Sequence, residues 1–270
     1  MRKKINILGS GLMGTQIANL FCIMGYEVNI WNRSKINAND LLKQKKFFLK
    51  ILKVDDLGGS INFIKELDSL KNNVTLETLV EDLEVKKDVF KKIEQNVNKE
   101  IFTNTSSIQI NKINLRLNLL HFFNPISLKI AEINKINVKS EEANSIFIDL
   151  KKIGFELIEV NDFTGFAFNK ILFAEISNFF FLIEKEGVKK ESLLNLYKKI
   201  YSNLNILNTI DIIGVDTALR IFENLKKDYN NFYIPNLLNL CIKKKILGKK
   251  NKSSIKLIFD SPEYPKNLNE

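Results

Sequence analysis

The chain has 270 residues and a net charge of +10, from 41 Lys and Arg against 31 Asp and Glu. That length buries a substantial core and allows two domains. The lysines are scattered through Asn- and Ile-rich sequence, the pattern of an A+T-biased composition and not a nucleic-acid footprint, so the surplus serves at most to attract an anionic cofactor or substrate.

Residues 4–8 read as a short buried strand that runs into Gly9-Ser10-Gly11-Leu12-Met13-Gly14. Residues 15–24 follow with helical apolar spacing (Ile17, Leu20, Phe21, Met24), Gly25 breaks the pattern, and residues 27–31 read as a second strand. Strand, glycine turn, helix and strand within about 30 residues is the context of a dinucleotide-binding fingerprint. Gly9 allows the tight turn, Gly11 lets the backbone approach a pyrophosphate, and Gly14 permits close helix–strand packing, with the helix N-terminus facing the anion. The second strand ends in Asn32-Arg33-Ser34, where an acidic residue would hold the ribose hydroxyls of NAD. Asn32 does not repel a 2′-phosphate, and Arg33 with Ser34 can bind one, which favours NADP over NAD; a solvated basic turn is the plainer reading.

Farther along, residues 40–54 read as a basic helix, 74–79 as a strand, 85–97 as a helix, 101–104 and 117–123 as strands, 140–153 as a helix and 156–160 as a last strand. The alternation indicates a parallel sheet with helices on both faces. From residue 164 helical patterns take over, at 166–184, 191–203, 217–229 and 234–246. The expected architecture is therefore α/β: a Rossmann-like, doubly wound domain over 1–161, then an all-helical domain over 162–270. The most apolar run, 171–183, contains Glu175 and Asn178 and reads as too short to span a bilayer. The first strand begins at once, so no secretory leader is expected. Cys22 and Cys241 lie far apart in helical apolar surroundings. They read as reduced core residues of a cytoplasmic protein, with no metal-ligand cluster.

The single histidine, His121, sits in His121-Phe122-Phe123-Asn124-Pro125, and Glu132 follows it after a short apolar stretch. Histidine exchanges a proton near neutral pH, and a carboxylate accepting from one ring nitrogen fixes the tautomer and frees the other as a base. Taken alone, a histidine between phenylalanines is as readily a packed structural residue.

Five pieces in this order carry a resemblance: Gly9 to Gly14, Glu81-Asp82-Leu83-Glu84-Val85-Lys86-Lys87, Thr103-Asn104-Thr105-Ser106-Ser107, the His121 motif with Glu132, and the segment from Asp162 to Asn169. Together they make the chain similar to the 3-hydroxyacyl-CoA dehydrogenase family, which includes 3-hydroxybutyryl-CoA dehydrogenases. The resemblance is dense over 4–33 and 74–173. It implies a hydride transfer between C3 of an acyl thioester, with CoA as the usual carrier, and a nicotinamide cofactor, in the chemistry of fatty acid metabolism. It also implies a helical domain that forms a homodimer, and no nucleic-acid or membrane partner. By the same resemblance His121 is the acid/base, Glu132 orients it, Ser106 bonds the substrate oxygen and the nicotinamide region, and Asn169 bonds the substrate near the base. Gly9, Gly11, Leu12, Met13, Gly14, Asn32, Arg33, Glu81, Lys86, Ser106 and Asn124 fall at cofactor positions. Lys86 is otherwise one lysine of a solvated helix face, Ser106 a turn or cap serine, and Asn169 an exposed polar residue.

The departures are specific. One residue fewer than is usual separates His121 from Glu132, around Ile126-Ser127, so the connection must tighten. Thr164 stands where the family has the proline of its Pro-Gly-Phe turn. Asn205-Ile206 replaces a Gly-Pro, although Asp211, Gly214 and Asp216 remain. A glycine-rich C-terminal element is reduced to Gly248-Lys249-Lys250-Asn251-Lys252. The alternatives are a catalytically degenerate member serving as a nucleotide-binding or assembly protein, and a dehydrogenase of a carrier-protein-bound or free 3-hydroxy acid.

Overall fold

The structure is a computed structural model and describes residues 2–33, 38–200 and 205–265. The chain divides into two compact units, 1–163 and 164–270; sequence patterning puts the division at 161/162.

The first unit holds β1 (Lys4–Leu8), α1 (Leu12–Ile23), β2 (Glu27–Trp31), α2 (Ala38–Leu52), β3 (Ser60–Ile64), β4 (Val74–Glu77), α3 (Leu83–Ile93), β5 (Ile101–Thr103), α4 (Ile110–Ile113), β6 (Leu117–Phe122), β7 (Ile130–Asn134), α5 (Glu141–Lys152) and β8 (Glu156–Glu159). One eight-stranded sheet runs β3-β2-β1-β4-β5-β6-β7-β8, parallel except where β7 pairs antiparallel with β6. The chain leaves β1 for β2 and β3 on one side and returns through β4 on the other. The C-terminal ends of β1 and β4 therefore form the switch point at which such sheets bind ligands. The core is built from Ile5, Ile7, Phe21, Val28, Ile30, Leu76, Phe102, Leu120 and Phe122 with the apolar face of α1. Asparagines interrupt the apolar strands and satisfy one another across the sheet: Asn29 Nδ2 donates to Asn6 Oδ1 at 3.2 Å, and Asn6 Nδ2 to Thr75 Oγ1 at 3.1 Å.

Helix starts follow side-chain caps. Asp82 accepts from Glu84 N and Val85 N, each at 3.0 Å, which starts α3 at Leu83, earlier than its apolar pattern indicates. Ser140 accepts from Ala143 N and starts α5. Two strands escape the sequence reading, β3 and β7. β7 is Ile-Ala-Glu-Ile-Asn, with the charged Glu132 at its centre, so its pattern does not announce a strand.

The second unit holds α6 (Phe166–Glu184), α7 (Lys190–Ile200), α8 (Ile206–Ile213), α9 (Val215–Asp228), α10 (Asn236–Lys243) and α11 (Lys256–Phe259). The expected end of α7 near 203 lies outside the described residues. α6 corrects one expectation. At 19 residues it is long and apolar enough to cross a membrane by length and composition, yet half of that stretch is buried within the protein. Phe173, Ile176, Phe179, Phe180 and Ile183 pack with Leu207, Ile210, Ile221, Phe222, Leu225, Leu238 and Phe259, as in a core helix. Glu184 accepts from Tyr233 and Tyr264 hydroxyls and from the Asn236 and Leu237 N–H groups, which ties the start of α10 and the C-terminal segment to the end of α6.

Candidate active site

The glycine loop leaves β1 at Gly9, whose φ of +109° lies in the left-handed region. Its N–H donates to Trp31 O at 2.8 Å. A Cβ on Gly9 would stand 2.7 Å from Thr78 O, and one on Gly14 would stand 2.1 Å from Gly9 O. The protein's own packing demands both glycines. Gly11 differs, because a Cβ there would meet nothing within 4 Å. It precedes α1, whose first turn has no side-chain cap, so backbone N–H groups remain for an external acceptor. Room beside Gly11 and an uncapped helix start fit a pyrophosphate. Leu12 is exposed and Met13 half-buried on this turn.

Asn32 Oδ1 accepts from Ser10 N at 3.2 Å and ties the end of β2 to the loop. Arg33 follows, exposed. Ser34 lies outside the described residues.

The end of β4 and the start of α3 enclose a polar cluster. Glu81 Oε1 accepts from Thr105 Oγ1 at 2.7 Å, Ser106 N at 3.0 Å, Ser107 N at 2.7 Å and Ser107 Oγ at 2.8 Å. One carboxylate oxygen thus shapes the turn that presents Ser106, which is a half-buried turn residue and not the cap of α4, whose cap is Gln109. Lys86 corrects the solvated-face reading: it is buried, with Nζ 2.7 Å from Glu77 Oε1 and 3.8 Å from Glu81 Oε2. A lysine is buried only with a partner. That partner is Glu77, to which the sequence assigns no role, and Thr103 donates to Glu77 Oε2 at 2.7 Å. The available signal is an acidic residue closing an otherwise apolar strand nine positions before a lysine on the next helix.

His121 on β6 lies opposite Glu132 on β7 in the antiparallel register. Directly opposed residues share a sheet face with Cβ atoms about 4.5–5.5 Å apart, and here His121 Nδ1 and Glu132 Oε2 stand 2.9 Å apart, both side chains buried. A carboxylate only accepts, so in the neutral imidazole this contact places the ring proton on Nδ1. The connection between the two strands makes a 3-10 turn over Ile126–Leu128 and leaves it through Lys129 in the left-handed conformation. Asn104, also unassigned by sequence reasoning, accepts from Phe122 N at 2.8 Å and anchors β6 next to His121. Asn124 follows, half-buried.

In the helical unit Asn169 occupies the first turn of α6 and is 5% exposed, not the exposed polar residue of the plainer reading. α6 begins at Gly165, with φ +80°. Thr164, in the place of the family's proline, donates its hydroxyl to Asp228. Lys250 of the reduced C-terminal element is held by Asp216 Oδ1 at 2.8 Å and Thr217 Oγ1 at 2.6 Å. Among the described residues no group of three or more His, Cys, Asp or Glu could hold a metal ion.

Residues 4–163 match the family described as 3-hydroxyacyl-CoA dehydrogenase, NAD binding domain. The chain belongs to the 3-hydroxyacyl-CoA dehydrogenase family. It is an NAD(P)-dependent oxidoreductase of that type. It is 28% identical to the "Probable 3-hydroxybutyryl-CoA dehydrogenase" of Bacillus subtilis over 92% of this chain and 95% of that protein. Two crystal structures share its fold. M. tuberculosis FadB2 has a TM-score of 0.79 at 24% identity, covering 94% of this chain and 98% of that one. The (S)-3-hydroxybutyryl-CoA dehydrogenase PaaH1 of Ralstonia eutropha has 0.75 at 23%, with the same coverage of both chains.

Gly11 and Gly14 of this family member should separate by experiment. Gly11→Ala should keep the wild-type melting temperature and weaken NAD(P)H binding about tenfold or more, a change of about 1.4 kcal/mol or more. Gly14→Ala should lower both. Fluorescence titration and thermal melting check this, and unchanged nucleotide affinity in Gly11→Ala would place the pyrophosphate elsewhere.

Proposed function

We propose that this chain interconverts the C3 hydroxyl and C3 ketone of a 3-hydroxyacyl thioester of the 3-hydroxybutyryl-CoA kind, with His121 as the acid/base. The observation that carries the reading is the buried 2.9 Å contact between His121 Nδ1 and Glu132 Oε2 on opposed strands. The name of the B. subtilis relative supports the substrate class. When bound, NAD(P) supplies the hydride acceptor in oxidation and the donor in reduction. In oxidation the C3 hydrogen departs with its electron pair, the C3–O bond becomes a carbonyl, and His121 Nε2 takes the hydroxyl proton. Glu132 keeps the imidazole in the reactive tautomer and stabilises its cation. Ser106, on the turn held by Glu81, bonds the C3 oxygen. Gly9 to Gly14 with Glu81, Lys86 and Asn124 form the cofactor side.

Replacing His121 by Gln should lower acetoacetyl-CoA turnover by about 10²–10⁴-fold, the usual loss for a positioned acid/base, while nucleotide affinity stays near wild type. Glu132→Gln keeps the shape and loses the charge, and should lower kcat with a changed pH profile. Steady-state rates decide: a fully active His121→Gln protein removes His121 from the mechanism.

We also propose a preference for NADPH. Asn32 brings no carboxylate against a 2′-phosphate, and Arg33 is exposed beside it. Arg33→Ala should weaken NADPH and leave NADH almost unchanged in parallel titrations; equal losses for both would make Arg33 structural.

We propose, finally, a homodimer through the helical unit. Of the apolar run Phe173, Phe179, Phe180, Phe181 and Leu182 on α6, Phe173, Phe179 and Phe180 are internal core and offer a partner no surface. The support lies instead on the outer side of α6, where Phe168, Ile171 and Leu182 are exposed at helical spacing, Ile171 at 71%. Sedimentation equilibrium should give twice the chain mass, and a monomer across a wide concentration range contradicts it.

A further inference from the structure

Two carboxylates and one ammonium are sealed together where β4 and β5 end. Glu77 is fully buried, Lys86 is 1% exposed, and Glu81 stands beside them. The two carboxylates have different occupations. Glu81 commits Oε1 to four donors of the Thr105–Ser107 turn, and its other oxygen lies 3.8 Å from Lys86, beyond hydrogen-bond reach. Glu77 takes the one hydrogen bond that Lys86 Nζ makes among the described residues, at 2.7 Å. Glu77 is itself oriented by Thr103 Oγ1 on its second oxygen and by the Leu79 N–H on its first. An ammonium has three N–H donors, so the Glu77 contact leaves two of them to other acceptors.

We propose that Glu77 is a positioning residue for the dinucleotide: it holds the Lys86 ammonium at the end of β4, so that the remaining donors serve the cofactor and Glu81 is left to shape the Ser106 turn. The inference rests on the reading of Lys86 as a cofactor contact. Without the Glu77 charge the nearest anion to Lys86 is Glu81. In a buried site of low effective dielectric the ammonium is drawn to it, away from its place and against the carboxylate that shapes the Ser106 turn.

The test is a double-mutant cycle on nucleotide affinity, measured by NADH and NADPH fluorescence titration of the intact protein. Glu77→Gln keeps the size of the side chain and removes its charge. It should weaken Kd about tenfold and raise the KM for the nucleotide while leaving the KM for acetoacetyl-CoA in place. Lys86→Met should weaken Kd at least as much. In the Lys86→Met background Glu77→Gln should add nothing, because its effect passes through Lys86. Thr103→Val, which removes only the hydrogen bond that orients Glu77, should give a smaller loss of the same kind, again absent in the Lys86→Met background. It supplies the cycle if Glu77→Gln does not fold. Wild-type affinity in Glu77→Gln, or losses that multiply in the double variant, overturns the proposal. Wild-type affinity in Lys86→Met instead overturns the reading of Lys86 on which it rests, and the two failures are distinct.

Discussion

The antiparallel pairing of β7 against β6 is the constraint on which the site depends. The other strand pairs of the sheet are parallel. Only because the chain doubles back after Phe122 does Glu132 come directly opposite His121. Side chains alternate faces with a period of two, so a one-residue slip in either strand would turn one partner to the opposite face. The connection turns at Lys129, and the β6–β7 ladder runs unbroken from Phe122 opposite Ala131 to Leu119 opposite Asn134. The imidazole and carboxylate are then buried together, where their interaction is strong because little water competes, and Asn104 pins the adjacent backbone from β5.

Around that pair the protein spends buried polar groups on holding loops. Glu81 gathers the Thr105–Ser107 turn, Glu77 holds Lys86, Asn32 holds the glycine loop, and Asp162 accepts from the N–H groups of Ile110 and Asn111 at the start of α4. Each is a side chain at or beyond the end of a strand; Glu81, Asn32 and Asp162 fasten backbone of another segment, and Glu77 fastens an ammonium. Backbone loops alone lack the means to fix a serine or an ammonium to a fraction of an ångström. Charged groups bonded to backbone N–H do so at the cost of their desolvation. Removing one member of a buried ion pair of this kind typically costs about 3–5 kcal/mol.

The parts that were legible in the sequence are those whose signal is local. The glycine loop is written in six consecutive residues, and α6 appears with both ends where its periodicity places them. β7 was not legible, because its central position is a buried glutamate whose partner lies on another strand. The occupation of Lys86 was not legible for the same reason: a lysine on a helix reads as solvated until the buried Glu77 opposite it is known. The phenylalanines of α6 show the converse. Their number suggests an outer apolar surface, and tertiary packing instead turns Phe173, Phe179 and Phe180 inward onto the other helices of the unit. Family resemblance supplied roles for His121, Glu132, Ser106 and Asn169, but not the anchoring of β6 by Asn104 or the shaping of the Ser106 turn by Glu81.

The central claim is that this divergent chain still moves a hydride from C3 of a thioester. The most direct measurement is isotopic: 3-hydroxybutyryl-CoA carrying deuterium at C3 is incubated with the protein and oxidised nucleotide, and the products are analysed by mass spectrometry. The account predicts deuterium on the reduced nicotinamide, in one-to-one proportion to the ketone formed. Bound nucleotide with the deuterium left in the thioester would contradict it.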